Sequence, residues 1–214
     1  HTLSLHDALP IFNNYLCVMA QVDRVTRFYN RIAKVYPFIN MGLKPYKKYV
    51  FKELQLLPKG KLLDIGTGHG ALFGLGLKHD ITGIDSSVEM LKIARKKYSK
   101  QDIQEMSAED LSFSDQSFDY IVLAHLLSTV PIKKTLAEAK RVLKPKGKLF
   151  ILNHFTPNGG RGILSKWFAY FSPYFAFSSE FKIAEVTAQL NFNKTVVFPA
   201  DRLGFYKLII CTKA

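Results

Sequence analysis

Cysteine, acidic residues and long hydrophobic runs are all scarce in this 214-residue sequence. Its two cysteines, Cys17 and Cys211, are too few for a disulfide-built scaffold or a cysteine-liganded zinc module. No apolar run approaches the roughly 18–20 residues that a membrane-spanning helix needs. The sequence therefore predicts neither a disulfide scaffold, nor a zinc module, nor an integral membrane protein.

The shortage of acidic residues leaves a strong positive charge. Only 17 Asp and Glu residues stand against 30 Lys and Arg, which gives a formal net charge of +13. Such a charge attracts an anionic partner, which is nucleic acid, an acidic membrane surface or a phosphorylated substrate. With 48% hydrophobic and 22% charged residues, the chain is otherwise typical of a globular protein with a buried core.

The N-terminal segment differs in character from the rest of the chain. Residues 1–11 (HTLSLHDALPI) resemble translated sequencing-adapter read-through, and the first methionine is Met19. We therefore expect residues 1–12 to be a non-native leader. The following residues lack the basic and long apolar regions of a secretory signal, so we expect a cytoplasmic protein. Residues 13–57 should form an N-terminal helical cap, and residues 58–214 one globular unit.

Hydrophobic periodicity predicts the fold class. Apolar residues recur at helical spacing over 22–36 and 45–57, with Lys and Arg on the opposite faces. Short apolar strands then alternate with helical segments, which is typical of a doubly wound parallel sheet. Strands are predicted at 61–65, 80–84, 103–106, 118–124 and 148–153, with helices at 71–77, 87–98 and 132–143. Two last strands, 194–198 and 205–211, have no helix between them. The prediction is a Rossmann-like α/β fold: a mostly parallel seven-stranded sheet with an antiparallel C-terminal hairpin strand and N-terminal capping helices.

A glycine-rich turn follows the first strand, with the sequence DIGTGHG from Asp64 to Gly70. Glycines let a ligand approach the backbone closely, and the predicted helix after them favours a carboxylate or phosphate at its N-terminus. Asp85 ends the second strand, where a carboxylate can accept both hydroxyls of a ribose. The spacing differs from the G-x-G-x-x-G of dinucleotide sites. It resembles the first motif of class I S-adenosylmethionine-dependent methyltransferases; a turn that serves only tight packing is the alternative.

That resemblance implies S-adenosylmethionine as the cofactor, its methionine part on the glycine loop and its ribose on Asp85. It continues at Ser107–Phe113, which looks like the family's adenine loop and would place Ser107 and the Ala108 backbone against the adenine. A solvated turn is the alternative for Glu109 and Asp110. No metal is expected. The cofactor-binding residues implied are Asp64, Gly66, Thr67, Gly68, Gly70, Asp85, Ser86, Ser107, Ala108 and Ala124.

Motifs outside the cofactor site bear on the methyl acceptor. Amino-methylating nucleic-acid enzymes carry an Asn/Asp-Pro-Pro-aromatic motif after the fourth strand, where this chain has Leu123–Leu127 (LAHLL), so no nucleic-acid partner is expected. The helix from Val25 to Tyr36 is similar to the opening helix of ubiquinone/menaquinone C-methyltransferases and of bacterial phospholipid N-methyltransferases. The C-terminal half is more similar to the phospholipid enzymes. This part of the resemblance rests on Asn153-His154, Gly159-Gly160, Trp167, Phe181 and the run from Pro199 to Ile209.

Aromatic and basic residues favour a lipid acceptor independently of that resemblance. Residues 163–177 contain seven aromatic side chains, which suit a membrane interface or, equally, a lid over the active site. The basic first helix suits binding to anionic lipid, to which each well-placed Lys or Arg contributes about 1 kcal/mol. The alternative is that its basic residues form an ordinary face in contact with solvent. We therefore expect a monomer attached peripherally to the inner face of the membrane.

The resemblance implies N-methylation of phosphatidylethanolamine, in one or more rounds. Because an ammonium group has no lone pair, it must lose a proton before it can accept a methyl group, and a neutral His or Tyr can assist. The candidates for this catalytic role are His125, His154, Tyr29 and Tyr36. The alternatives are C-methylation of a quinone precursor, nucleic-acid methylation, and a non-catalytic lipid-binding protein on the same scaffold.

Overall fold

The structure is a computed structural model that describes residues 23–41, 44–154, 186, 192–200 and 206–214. Several features named above lie outside these residues. They are the leader over 1–12, Cys17, the Gly159-Gly160 pair, the aromatic segment over 163–177, Phe181 and residues 203–205.

Seven strands form one mixed sheet in the order β3-β2-β1-β4-β5-β7-β6. The strands are β1 (Lys61–Ile65), β2 (Asp80–Asp85), β3 (Asp102–Glu105), β4 (Phe118–Ala124), β5 (Leu143–His154), β6 (Lys194–Pro199) and β7 (Tyr206–Thr212). The first five pair in parallel, whereas β7 runs antiparallel between β5 and β6. This arrangement confirms the predicted fold class, including the antiparallel C-terminal hairpin.

Helices precede the first strand and follow some of the later ones along the chain. Five of them have ranges that the structure describes. They are α1 (23–32), α2 (Tyr36–Met41), α3 (Lys44–Gln55), α4 (Val88–Lys97) and α5 (Ile132–Val142). Within these ranges no helix is both long and apolar enough to cross a bilayer. Ser87 caps α4, since its hydroxyl accepts a hydrogen bond from the Met90 amide at 3.3 Å.

The predicted continuous helix over 22–36 is wrong at its C-terminal end. The helix stops at Ile32, a turn occupies 33–35, and α2 begins at Tyr36. Pro37 explains the break, because its ring and its missing amide hydrogen are tolerated in the first turn of a helix but not inside one. The break turns Tyr36 toward the sheet and leaves Phe38 75% exposed.

The predicted helix over 71–77 is also wrong, since only a 3₁₀ turn, Phe73–Leu75, forms there. Gly76 ends the turn in the left-handed region at φ 67°. Gly74 lies so close to Tyr98 that an added Cβ would come within 2.6 Å of the phenol oxygen. Glycines weaken helices, and a turn this short presents no helix dipole. The expected attraction of an anion to a helix N-terminus at the glycine loop is therefore not supported.

Apolar residues on both faces of the sheet form the core. One face packs against α5, and the other against α3. The side chains against α5 include Ile65, Leu123, Ile151 and Ile209, and those against α3 include Leu62, Val122, Phe150 and Leu208. Because successive side chains of a strand point to opposite faces, strands covered on both faces read as continuous apolar runs. Because the core lies on the two faces of the sheet, the carboxyl ends of the parallel strands are the place where a binding site can form.

Candidate active site

A cleft opens at the carboxyl ends of the parallel strands, and α1 and α2 cover one side of it. Its volume is about 720 Å³ with the open mouth included. Ligands of open α/β sheets bind at this edge. Ten of the fourteen predicted site residues line the cleft: Tyr29, Tyr36, Gly66, Gly68, Asp85, Ser86, Ser107, Ala108, Ala124 and His125.

The three glycines of the loop all have positive φ but different surroundings. A Cβ added to Gly66 would come within 2.8 Å of Leu126, and one added to Gly70 within 2.9 Å of Tyr98. A Cβ added to Gly68, at φ 57°, would meet no atom within 4 Å in the part of the chain that the structure describes. Gly70 does not line the cleft, and it allows close packing against Tyr98 at the end of α4. For this glycine the structure therefore supports the alternative interpretation of the motif, a turn needed for tight packing. Gly68 is the position where the backbone leaves room for a ligand.

Asp85 connects the glycine loop to the start of α4. One carboxylate oxygen accepts a hydrogen bond from the Gly68 amide and the other from the Ser87 amide, both at 2.8 Å. A carboxylate offers about four acceptor positions, so acceptor positions remain for hydroxyl groups in the cleft. Burial raises the pKa of Asp85, while the backbone amides of Ser87, Gly68 and Ser86 act in the opposite direction.

Helix α1 contacts the same region through polar side chains. The Asn30 side-chain oxygen accepts a hydrogen bond from the Ser87 hydroxyl at 2.7 Å, and the hydroxyls of Thr26 and Ser86 are 3.1 Å apart. The covering helix is thereby fixed to the strand end that carries Asp85. The rigid attachment places Tyr29 over the cleft rather than in solvent.

The predicted adenine loop forms the opposite wall through Ser107, Ala108 and Glu109. The Ser107 hydroxyl accepts a hydrogen bond from the Glu109 amide at 3.3 Å, so it stabilises the turn locally. Burial raises the pKa of Glu109, which therefore is not the fully solvated residue of the alternative interpretation. Asp110 is exposed.

An ion-pair network behind that wall holds the loop. Arg141 donates to the carbonyls of Leu111 at 2.7 Å and Phe113 at 2.8 Å and pairs with Glu138 and Asp115. Glu138 also accepts a hydrogen bond from the Leu111 amide at 2.8 Å. Arg141 therefore anchors the loop that carries Ser107 and Ala108.

His125 follows β4 with a left-handed backbone at φ 59°, and its amide donates to Leu152 at 2.7 Å. Burial, followed by the charges of Lys47 and His154, lowers the pKa of His125 to about 3. The ring is therefore neutral at physiological pH. Among the described residues its Nε2 atom has no hydrogen-bond partner, although it is buried beside the cleft. Strained backbone and an unsatisfied buried nitrogen are features of functional sites.

Tyr206 lies between the two predicted histidines. Its ring is 5.6 Å from that of His125 and 6.2 Å from that of His154, both edge-on, and it stacks on Tyr46 at 4.0 Å. His154 ends β5 and pairs with Tyr206 in the sheet, but it does not line the cleft. Tyr46 belongs to no motif in the sequence, and Tyr206 was named only within the run from Pro199 to Ile209, not as a site residue.

Two further tyrosines close the cleft from α1 and α2. The rings of Tyr29 and Tyr36 are 5.6 Å apart, and Tyr36 is 5.8 Å from the ring of His69. Burial, together with the nearby Asp85 carboxylate and Tyr206, raises the pKa of Tyr36 to about 12. Burial also raises the pKa of Tyr29. Both hydroxyls stay protonated at neutral pH.

The two remaining predicted residues, Asp64 and Thr67, line a second cavity of about 330 Å³ beneath the loop. Lys47 of α3 lines the same cavity, although sequence analysis counted it among the solvent-facing basic residues. Its spacing to Val50 and Leu54, both buried, is the signal that places it on the inner face of α3. Burial raises the pKa of Asp64 to about 6, against the effects of the Thr67 hydroxyl and the Lys47 charge.

Comparison with known proteins identifies the family. Residues 63–151 match the model of the methyltransferase domain family. The phosphatidylethanolamine N-methyltransferase of Cereibacter sphaeroides is 34% identical over 159 residues, which cover 70% of this chain and 78% of that protein. The ubiquinone/menaquinone biosynthesis C-methyltransferase of Geotalea daltonii is 30% identical over 152 residues. That match covers 63% of this chain, and it spans only about two thirds of the relative's own length, at 65%.

The same fold is present in solved structures. That of an S-adenosylmethionine-dependent methyltransferase from Thermotoga maritima superimposes with a TM-score of 0.66 at 24% identity. The superposition covers 88% of this chain and 99% of that one. The open space at Gly68 and the remaining acceptor positions of Asp85 fit the cofactor of such enzymes. The chain belongs to the S-adenosylmethionine-dependent methyltransferases.

Proposed function

We propose that this protein transfers methyl groups to the amine of phosphatidylethanolamine at a membrane surface. The observation that carries the proposal is the Nε2 atom of the neutral His125 ring, which has no hydrogen-bond partner among the described residues and lies beside a cleft closed by Tyr29 and Tyr36. A buried acceptor atom surrounded by aromatic rings suits a polar hydrogen donor attached to a cationic group.

The residues on the other side of the cleft would hold the cofactor. Asp85 would accept hydrogen bonds from the ribose hydroxyls, Gly68 would leave room for close approach, and Ser107 and Ala108 would lie against the adenine. Ser86 and Ala124 also line the cleft. When bound, S-adenosylmethionine supplies the methyl group on its sulfonium. The residues of the chain would hold the methyl donor and the acceptor amine in alignment and would exclude water from between them.

His125 suits the task of receiving the acceptor amine. An alkylammonium such as that of lysine has a pKa of about 10.4, so the headgroup arrives protonated. The neutral imidazole accepts a hydrogen bond from it and orients its nitrogen. Because the pKa of His125 is lowered to about 3, the ring does not retain the proton. The headgroup loses this proton to water at the mouth of the cleft, since the Tyr29 and Tyr36 hydroxyls are already protonated and cannot accept it. His154 acts indirectly, through Tyr206.

The tyrosine rings suit a product that gains methyl groups. Each methylation removes an N–H donor but keeps the positive charge once the amine is reprotonated or quaternary. Aromatic faces bind such cations without needing hydrogen bonds, at about 0.5–2 kcal/mol each. Tyr29 and Tyr36 would therefore support repeated rounds of transfer.

Basic and apolar residues outside the cleft support docking on a lipid surface. Arg24, Arg27, Arg31 and Lys34 of the α1 segment are all exposed. Next to them Val35, Phe38 and Met41 are 54%, 75% and 59% exposed, which is unusual for large apolar side chains in water. This surface adjoins Tyr36, so a bilayer held there would present headgroups at the cleft.

Quinone C-methylation is the second candidate, because several curated relatives, including that of Geotalea daltonii, are quinone methyltransferases. The neutral His125 would equally accept a hydrogen bond from a quinol hydroxyl. The aromatic lining and exposed basic helix do not distinguish the two acceptors, since both are carried in membranes.

One assay separates these candidates. The purified protein is incubated with methyl-labelled S-adenosylmethionine and vesicles that contain phosphatidylethanolamine, a demethylated quinol, or both, with and without anionic lipid. Label in methylated phosphatidylethanolamine, increased by anionic lipid and reduced by salt, is expected. Label in the quinol alone would replace the lipid assignment. His125→Asn should abolish transfer while binding of the cofactor persists, and Tyr98→Phe, which lies away from the cleft lining, is the matched control.

A further inference from the structure

Helix α1 lies against the cleft without joining the apolar core. Val25 of α1 and Ala33 just after it are buried. Neither belongs to the apolar clusters that the described residues form around the sheet. Segments with few buried apolar contacts open locally at a lower free-energy cost than the core does. The polar contacts of α1 therefore largely determine how firmly the helix is closed.

Asn30 makes two of these polar contacts with a single atom. Its Oδ1 atom accepts a hydrogen bond from the Ser87 hydroxyl at 2.7 Å and another from the Glu89 amide at 3.3 Å. Ser87 caps α4, and amides of the first helical turn have no partner within their own helix. One turn earlier in α1, the Thr26 hydroxyl lies 3.1 Å from that of Ser86. Asn30 and Thr26 thus attach α1 to the start of α4.

The contacts of Asn30 continue to the residue that would hold the ribose. The Ser87 amide donates to Asp85, which also accepts from the Gly68 amide, both at 2.8 Å. A continuous chain of hydrogen-bonded residues therefore runs from Asn30 to the glycine loop. The closed position of α1 and the arrangement of the proposed ribose site depend on the same contacts.

Tyr29 shows that α1 reaches over this part of the cleft. Tyr29, Val25 and Thr26 all line the cleft, as Asp85 does. Burial raises the pKa of Tyr29, and the nearby Tyr36 and the Asp85 carboxylate act in the same direction, so its ring lies close to that carboxylate. A nucleoside bound at Asp85 would accordingly lie beneath α1.

We propose that Asn30 is a positioning residue that holds α1 closed over the bound cofactor. The helix must rise for the cofactor to enter or leave, and the contact of Asn30 with the start of α4 closes it again. Closure places Tyr29 in the cleft at the same time, so it also completes the wall beside the methyl acceptor. The inference rests on the ribose position proposed above and does not depend on which acceptor is used.

The test follows the dissociation of S-adenosylhomocysteine by surface plasmon resonance. Asn30→Ala removes both hydrogen bonds and should speed dissociation about fivefold, the equilibrium effect of losing one ordinary hydrogen bond. Asn30→Asp keeps an accepting oxygen, which a helix N-terminus favours, and should bring the rate back to within about twofold of the unmodified protein. Thr82→Val is the matched control, because its hydroxyl also bonds a side chain of another element, at 2.8 Å, but does not line the cleft. It should leave the rate unchanged.

An unchanged dissociation rate in Asn30→Ala would overturn the proposal. If that variant only loses Tm, Asn30 serves as a cap of α4 and nothing more. If it does not fold, Thr26→Val makes the same test with a smaller change, and a rate equal to that of Thr82→Val would overturn the proposal. Unchanged affinity for S-adenosylhomocysteine in Asp85→Asn would instead reject the ribose position. None of these measurements involves the methyl acceptor, so they are independent of the lipid assignment.

Discussion

Substitution of Gly68 by alanine tests the cofactor placement most directly, because the chain offers a matched control. Gly68 and Gly76 have φ of 57° and 67°, and an added Cβ at either position meets no atom within 4 Å. Gly68 lines the cleft, whereas Gly76 ends the 3₁₀ turn outside it. The two alanine variants therefore share the backbone strain and differ only in what occupies the space beside the methyl group.

The strain can be estimated for both. A non-glycine residue in the left-handed region costs about 1–2 kcal/mol, which lowers Tm by roughly 2–8 °C in a protein of this size. Gly68→Ala and Gly76→Ala should both fold and show similar losses of Tm. Only Gly68→Ala places a methyl group where the cofactor approaches the loop. Its affinity for S-adenosylhomocysteine should fall at least tenfold, equivalent to about 1.4 kcal/mol.

The assay combines thermal unfolding without ligand and calorimetric titration with S-adenosylhomocysteine. Normal binding by Gly68→Ala, at the same loss of Tm as Gly76→Ala, would refute the close approach of the cofactor at this position. A tenfold loss of affinity in Gly76→Ala would refute the reasoning in another way, since it would show that strain alone accounts for the effect.

Three further outcomes are expected. Asp85→Asn should weaken S-adenosylhomocysteine at least tenfold in calorimetry, whereas Asp80→Asn, an exposed carboxylate at the other end of the same strand, should leave it unchanged. Arg141→Met should lower the free energy of unfolding, measured by denaturant titration, by about 1–2 kcal/mol, and it should weaken the binding of adenosine. Lys92→Met, which breaks an exposed ion pair, is the control and should lower the free energy of unfolding by less than about 0.5 kcal/mol. Because burial raises the pKa of Asp64 to about 6, the folded chain binds more protons than the unfolded chain between about pH 4 and 6. The contribution of Asp64 to the free energy of unfolding should therefore fall by up to about 3 kcal/mol as the pH rises through that window. The Asp64→Asn variant should not show this decrease when its denaturation is measured at several pH values.

The positions of the strands could be predicted because strands buried on both faces must be apolar throughout. The strand predicted over 118–124 coincides with β4, whereas β5 begins at Leu143, five residues before the strand predicted over 148–153. The helix over 71–77 could not be predicted correctly, because its apolar residues have helical spacing while Gly74 and Gly76 favour a turn. Tertiary contact with Tyr98 determines which tendency prevails.

The residues of the cofactor half of the site could be predicted from the sequence for a similar reason. Asp64, Gly66, Gly68 and Asp85 come from two consecutive parallel strands and the connection between them, so their spatial relation follows from one pair of neighbouring strands. Their roles as ligands of the cofactor remain predictions. Gly70 shows the limit of the motif, because only the packing against Tyr98 reveals that it does not line the cleft.

The sequence by itself determined the fold class, the glycine loop and the strong positive charge, because local periodicity and composition suffice for these properties. The tertiary structure alone decided which rings surround His125. Insertion of β7 between β5 and β6 pairs Tyr206 with His154 and brings it to His125. Contacts between residues so distant in the chain depend on the order and register of the strands, which no local pattern specifies.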